Sequence, residues 1–293
     1  MDLIKFALLA VILAAALVLG VTWFRHRRAV PEARAPRPAE AAVGFVTEFF
    51  DTLGIGSFAP TTAAFKLLRM VPDELIPGTL NVGHAAGVVL QSLIFITAVA
   101  VSPALLVAMV LAATVGAWFG AGVVSRLSRH AIQLGMGLAL LVAGAVFAAK
   151  NLGILADGGE ALALDGWKFV VATVAALVLG ALMTVGIGMY APTMIVVALL
   201  GLHPLAAFPI MMGACALLQC VAGLRFISNA RFATGPALGL TLGGVPAVLL
   251  AAFVVKQLPL TTLRWLVVGV VTYAALAMLR SFARGEVSQR PAA

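Results

Sequence analysis

Two acidic residues lie in an otherwise apolar stretch of the first half of the chain. Glu48 and Asp51 are three residues apart, so on a helix they share one face. A carboxylate at the centre of a membrane helix costs about 2.5–3.5 kcal/mol on insertion scales, and proton coupling is one reason for it to be there, because a desolvated carboxylate changes charge readily as its surroundings open. The alternative is that both residues lie near the membrane surface or pair with Lys66 or Arg69.

A polar stripe follows in the segment NVGHAAGVVLQ. Helical geometry places Asn81, His84 and Gln91 on one stripe, with His84 and Gln91 only about 20° apart in projection. We predict that this stripe faces the interior and that a second stripe walls the same cavity, formed by Met212, Cys215 and Gln219. Alternatively, each polar side chain bonds a carbonyl of a neighbouring helix. His84 titrates nearest to neutral pH, so it joins Glu48 and Asp51 as a candidate for proton coupling.

A Gly-Ile-Gly motif occurs twice, each time midway along an apolar stretch and each time followed by a proline. The glycines are Gly54 and Gly56 in one copy and Gly186 and Gly188 in the other, with Pro60 and Pro192 behind them. Glycine permits the backbone geometry that unwinds a helix, and proline is tolerated in the first turn of a new one. We predict a helix, a break and a second helix in both copies; close helix packing through glycine is the alternative.

Each predicted break would place a helix N-terminus near the middle of the membrane. Free backbone amides over 57–61 and 189–193, together with the helix dipoles, would favour a small anion. Side-chain hydroxyl groups supply further donors, at Ser57, Thr61, Tyr190 and Thr193.

The two copies belong to a longer internal repeat. Shifted by 132 residues, TLGIGSFAPTTAAFKLLRMVPDELIP (52–77) lies over TVGIGMYAPTMIVVALLGLHPLAAFP (184–209) without a gap. The chain therefore divides into two homologous halves, with one additional helix in front.

Composition requires a membrane environment for these halves. Of the 293 residues, 63% are hydrophobic and 10% are charged, with a mean hydropathy of +1.13, which leaves too few charges to cover a water-facing surface. Apolar runs of about 20 residues predict helices and exclude barrel strands. We therefore expect an all-α polytopic protein of the cell (inner) membrane, in which the positive-inside bias explains the net charge of +8.

The charge pattern suggests an orientation and boundaries. With re-entrant broken segments, fourteen Lys and Arg residues fall inside and five outside, against twelve and seven if both segments cross; the sequence leaves the choice open but favours re-entry and inverted repeats of three spans each. We predict an N-terminal transmembrane helix (1–25), a cytoplasmic linker (26–40), repeat 1 (41–150), an extracytoplasmic loop (151–167), repeat 2 (168–282) and a cytoplasmic tail (283–293). Lys66 and Arg69 either draw anions toward a vestibule or extend to cytoplasmic headgroups.

The segment GIGSFAPTTAAFK, the GTLNVGHA stretch and the second copy GIGMYAPT resemble the sulfite exporter (TauE/SafE) family of membrane permeases. The likeness covers nearly the whole chain after residue 40. It implies two repeats, each with a glycine-rich broken segment, and transport of sulfite, organosulfonates or related sulfur anions.

We therefore expect a secondary transporter of a small sulfur-containing anion, with the lipid bilayer and the anion as its partners. A transporter of another oxyanion or carboxylate, a passive anion channel and an intramembrane enzyme are the alternatives. No H-E-x-x-H motif and no nucleophile elbow occur, so we expect no enzyme activity, cofactor or nucleic acid.

Cys215 and Cys220 lie about 140° apart on one helix, so we expect them to stay reduced and to bind no metal. The sequence leaves open whether the protein forms a homo-oligomer.

Overall fold

The computed structural model describes residues 2–29, 34–154, 159–186 and 188–254, and positions 265, 268–269, 272, 275–276, 279–280 and 282–284. The described part is helical, and its one β-bridge joins Ala161 to Leu202. The first half contains α1 (Leu3–Ala29), α2 (Pro38–Thr52), α3 (Phe58–Leu67), α4 (Ile76–Gly83), α5 (Ala85–Ala98), α6 (Pro103–Val124) and α7 (Arg129–Asn151). The second half contains α8 (Gly166–Met183), α9 (Tyr190–Leu199), α10 (Pro204–Ser228) and α11 (Thr234–Val254).

Among the described residues, six helical segments are long and apolar enough to cross a membrane. The chain is thus a multi-pass membrane protein, as its composition predicts. The segments are Leu3–Arg28, Asp73–Ala98, Pro103–Val124, Gly166–Met183, Leu205–Ser228 and Thr234–Ala252.

Both predicted helix breaks are present. The apolar run 41–68 divides into α2 and α3, and the run 168–200 divides into α8 and α9. Both second helices begin at positions 132 residues apart, Phe58 and Tyr190, and also end at equivalent positions.

Some predicted boundaries need correction. The linker expected over 26–40 is shorter, because α1 continues to Ala29 and α2 begins at Pro38. Basic side chains in the last turn of α1 favour its C-terminus, and proline is well suited to a first helical position. Residues 30–33 of the linker and 285–293 of the predicted tail lie outside the described residues.

The predicted stripe helix is also interrupted. Residues 76–98 form α4 and α5 rather than one uniform helix, and His84 lies at the junction between them.

Close helix packing joins the two halves. A Cβ at Gly116 would overlap the Leu177 carbonyl, and one at Gly180 would overlap Ala113, so α6 and α8 pack backbone to backbone. The equivalent pair, α2 and α11, makes the same kind of contact where Gly243 meets Ala41. Small residues permit such close approach between membrane helices.

Equivalent helices of the two halves pack against each other in antiparallel directions. Gly223 of α10 lies against Val82, and Gly213 lies against Ile96, so α10 runs opposite to α4 and α5. The described residues after 265 pack against α7 in the same manner, with Gly137 against Leu279 and Gly144 against Thr272.

The extracytoplasmic loop expected over 151–167 contacts the helical body. Ala161 accepts a hydrogen bond from the His203 amide (2.7 Å), and Leu162 accepts one from Ser102 (2.9 Å). Positions 155–158 of this loop lie outside the described residues. Cys215 and Cys220 are both buried and free.

Candidate functional site

Positive backbone angles mark both breaks. Gly54 and Gly56 have φ of 83° and 91°, and Gly186 has φ of 107°, a region that residues with a side chain seldom adopt. The Gly54 amide still bonds the Asp51 carbonyl at 2.8 Å, so the end of α2 is closed by a tight turn. The structure therefore supports the prediction of broken helices rather than simple packing for these three glycines. Gly188 is half-buried, and a Cβ built on it meets nothing within 4 Å.

The second helix of each half presents fewer free amides than expected. Thr61 donates its amide to the Ser57 carbonyl (2.9 Å), and Thr193 donates to Met189 (3.0 Å), so these amides close the first helical turn. Proline at position 60 or 192 has no N–H. The predicted donor sets 57–61 and 189–193 are therefore too wide, and the amides that remain are at positions 57–59 and 189–191.

The two breaks lie close together. A Cβ at Gly56 would be 3.8 Å from the Tyr190 Cβ, which places the first residue of α9 against the unwound segment of the other half. The Tyr190 side chain is buried, with 3% of its surface exposed. A residue from each half thus contributes to one site.

Glu48 is the centre of a buried hydrogen-bond network. Its Oε1 lies 2.8 Å from His84 Nδ1, and its Oε2 accepts a hydrogen bond from Gln91 Nε2 at 3.0 Å. All three side chains have no exposed surface. The alternative that Glu48 pairs with Lys66 is therefore wrong, since Lys66 pairs with Asp73.

His84 connects Glu48 to the first turn of α3. Its Nε2 lies 3.0 Å from Thr61 Oγ1. With the ring proton on Nδ1, His84 donates to the Glu48 carboxylate and accepts from the Thr61 hydroxyl, so both ring nitrogens are satisfied. The network can therefore exchange a proton between Glu48 and His84 without leaving the protein interior.

Gln91 carries the network across to the second half. Its Nε2 also donates to Thr52 Oγ1 (3.1 Å), and its Oε1 accepts from the Tyr190 hydroxyl (2.8 Å). Thr52 in turn donates to the Glu48 carbonyl at 2.8 Å. Thr52 was not predicted as a site residue, although its match to Thr184 in the repeat was a usable signal.

Asp51 lies beside this network with one oxygen unused. Its side chain faces Gln91, Ser57 and Tyr190 and is 2% exposed. Among the described residues, Oδ2 has no hydrogen-bond partner. An unpartnered buried carboxylate oxygen is costly, so this atom marks a place for a hydrogen-bond donor.

Two glycines on other helices make room for Glu48. A Cβ at Gly87 of α5 would lie 2.7 Å from the Glu48 carboxyl carbon, and one at Gly244 of α11 would lie 2.7 Å from its Cγ. Neither glycine was predicted as a site residue. The sequence around each glycine does not indicate which side chain of another helix packs against it.

Other predicted residues lie outside the hydrogen-bonded cluster. Asn81 is buried and donates to the Pro77 carbonyl of its own helix (2.9 Å), so it takes no part in the hydrogen bonds of His84 and Gln91. Cys215 contacts Met183, with the two sulfur atoms 3.6 Å apart, and is buried within electrostatic range of Asp51. Among the described residues, three of the predicted side chains are buried with an unpartnered oxygen: Asn81 Oδ1, Thr193 Oγ1 and Gln219 Oε1.

Lys66 belongs to a separate cluster. Its Nζ is 2.8 Å from Asp73 Oδ2, which also accepts a hydrogen bond from Gln133 (2.9 Å). Lys66 therefore forms an ion pair that ties α3 to the turn before α4. Arg69 is exposed at the end of α3 with φ of 51°, where the second half has Gly201.

Within the described residues, no group of three His, Cys, Asp or Glu side chains is arranged to hold a metal ion.

Comparison of the chain with models of known protein families, with curated proteins and with solved structures gives no significant match. The site therefore has to be interpreted from its own geometry.

Proposed function

We propose that this chain is a secondary transporter of a small sulfur-containing anion, such as sulfite or an organosulfonate. The observation that carries the proposal is the meeting of two broken helices, one from each half, at a single buried polar cluster. Unwound backbone at membrane depth is tolerated where it lines a binding cavity, and transporters built from repeats bind substrate where their broken helices meet.

The packing directions support an inverted relation between the halves. An axis in the membrane plane turns equivalent helices antiparallel, and this is how α10 packs against α4 and α5 and how Thr272 and Leu279 pack against α7. Inverted repeats allow the same structure to open alternately to the two sides of the membrane. We propose the cell membrane as its location, with the basic ends of the helices in the cytoplasm.

Two features support an anion as the substrate. The first turns of α3 and α9 place backbone amides and positive dipole ends at the cluster. The resemblance of the Gly-Ile-Gly segments to sulfite exporters then favours sulfur anions. The amides recognise negative charge and not sulfur, so another oxyanion or a small carboxylate uses the same features and is tested beside sulfite.

Burial of the cluster supports alternating access with proton coupling. The side chains of Glu48, His84 and Gln91 have no contact with solvent, so substrate reaches them only after a rearrangement. Because Glu48 and His84 can share a proton at 2.8 Å, we propose that this pair takes up a proton when the site opens to one side.

The test is flux of labelled sulfite into proteoliposomes that contain the purified protein, with and without an imposed pH gradient. We expect saturable flux that responds to the gradient and is inhibited by organosulfonates. Flux that does not saturate and ignores the gradient would indicate a channel. Absence of sulfite flux, combined with flux of a carboxylate in the same vesicles, would replace the sulfur anion by that substrate.

A further inference from the structure

Charge around the buried cluster restricts the kind of anion that it can accept. Asp51 is faced by Glu48 of its own helix, by His84 between α4 and α5, by Tyr190 of α9 and by Cys215 of α10. Among the described residues, no lysine or arginine forms an ion pair with either carboxylate, since the ion pairs found there join Arg34 to Glu40, Lys66 to Asp73 and His84 to Glu48.

A doubly charged anion is poorly matched to these surroundings. The donors available to an anion are the first-turn amides of two helices and neutral hydroxyl groups, while two carboxyl groups, Glu48 and Asp51, lie beside them and His84 is already bonded to Glu48. Charge repulsion is strong where solvent is excluded. Each additional negative charge on the substrate therefore weakens binding.

The unpartnered oxygen of Asp51 indicates the second requirement. Asp51 Oδ2 is buried and has no hydrogen-bond partner among the described residues, and the Asp51 side chain faces Tyr190 at the start of α9. A substrate with an O–H or N–H group could donate to this oxygen while its anionic end meets the helix amides. The buried Thr193 Oγ1, also unpartnered, lies in the first turn of α9 and supplies a further polar contact.

We propose that the site selects a singly charged oxyanion that carries its own hydrogen-bond donor, and that Asp51 is the residue that reads this donor. Hydrogensulfite and short hydroxy-sulfonates have this chemistry, whereas sulfate lacks it because it is doubly charged and fully deprotonated. The proposal rests on the proposed transport function and names the charge and donor pattern of its substrate.

Three competitors of labelled sulfite flux test the proposal: 2-hydroxyethanesulfonate, ethanesulfonate and sulfate. We expect 2-hydroxyethanesulfonate to compete about tenfold or more better than sulfate, a factor that needs only about 1.4 kcal/mol, and to compete better than ethanesulfonate, which has no donor. Sulfate competing as well as 2-hydroxyethanesulfonate would overturn the charge requirement. Equal competition by the two sulfonates would overturn the role of the donor.

Asp51→Asn is the matching variant, because it removes the charge and preserves the shape. We expect sulfate to compete several-fold better with this variant than with the unmodified protein, while Asp165→Asn, at an exposed position before α8, leaves the ranking unchanged. An unchanged ranking in folded Asp51→Asn would contradict the role of Asp51. Saturable sulfite flux with the wrong ranking overturns this inference alone, whereas absence of sulfite flux overturns the proposed function and the inference with it.

Discussion

Gln91 uses three hydrogen bonds within the buried cluster. Its two N–H groups donate to Glu48 and Thr52, and its carbonyl accepts from Tyr190. This arrangement fixes the orientation of the amide and leaves Glu48 acceptor-only, as expected for a carboxylate. Glu48 and Tyr190 are therefore connected through the Gln91 side chain.

Glu48→Gln tests whether this carboxyl carries the coupled proton. We expect the variant to fold, because His84 can move its proton to Nε2 and accept from the new amide. Sulfite flux should continue but lose its response to a pH gradient, measured in proteoliposomes with and without that gradient. Glu160→Gln, at an exposed position, is the control, and an unaltered gradient response in Glu48→Gln would remove Glu48 from the coupling step.

Tyr190→Phe tests the bond between the halves. The substitution leaves the buried Gln91 carbonyl without its donor, which costs about 1–3 kcal/mol, and it recreates the residue that the first half has at the equivalent position, Phe58. We expect a lower thermal unfolding temperature in detergent and reduced flux. Unchanged values of both would show that the 2.8 Å bond has no role in joining the halves.

At the scale of the helix, each break combines two local rules. Glycines adopt the positive φ angles that end α2 and α8, and a proline in the following turn suits the start of a new helix but lacks an N–H. The second helices then begin 132 residues apart. The local sequence of each segment is thus enough to produce the break in the helix. The contacts that the broken segment makes depend on the other half of the chain.

Gly56→Val tests the importance of the break. Valine is strained at φ of 91°, and its branched side chain would extend from a Cβ that is already 3.8 Å from Tyr190 Cβ. We expect membrane insertion to persist and sulfite flux to fall to background, measured by membrane fractionation and by flux. Gly20→Val, where a Cβ meets nothing within 4 Å, should keep full flux; normal flux in Gly56→Val would contradict a site at the break.

At the scale of the whole molecule, the main packing contacts occur in equivalent pairs, and each pair is obtained from the other when the two halves are interchanged. α2 packs on α11 as α8 packs on α6, and small residues permit close approach in both pairs. The central helices α4, α5 and α10 bring their polar or unpaired groups toward the breaks. α1 packs against the outside of this core, mainly on α10.

Inverted repeats place equivalent loops on opposite sides of the membrane. Ala100 lies in the loop between α5 and α6, and Ser228 lies at the end of α10 before the equivalent loop; both are exposed. We expect Ala100→Cys to react with a membrane-impermeant maleimide from outside spheroplasts, and Ser228→Cys to react only after the membrane is opened. The two native cysteines are buried and provide the unlabelled background. Reaction of both variants from the same side would exclude inverted repeats.

Local sequence was sufficient to predict the helical membrane class, the two breaks and most members of the site. The length of the apolar runs and the Gly-Ile-Gly spacing are properties of single segments. The 132-residue repeat is found by comparing two segments of the sequence. All three can therefore be recognised without knowledge of tertiary contacts. The carboxylates and the polar stripe were recognisable because polar groups in apolar helices are costly.

Tertiary packing decided which of these residues meet. Glu48 bonds His84 and Gln91 rather than Lys66, whose partner is Asp73. Asn81 satisfies its donor within its own helix. Partners 23–99 residues apart in the chain are brought together only when helices pack, and local spacing carries no information about that choice.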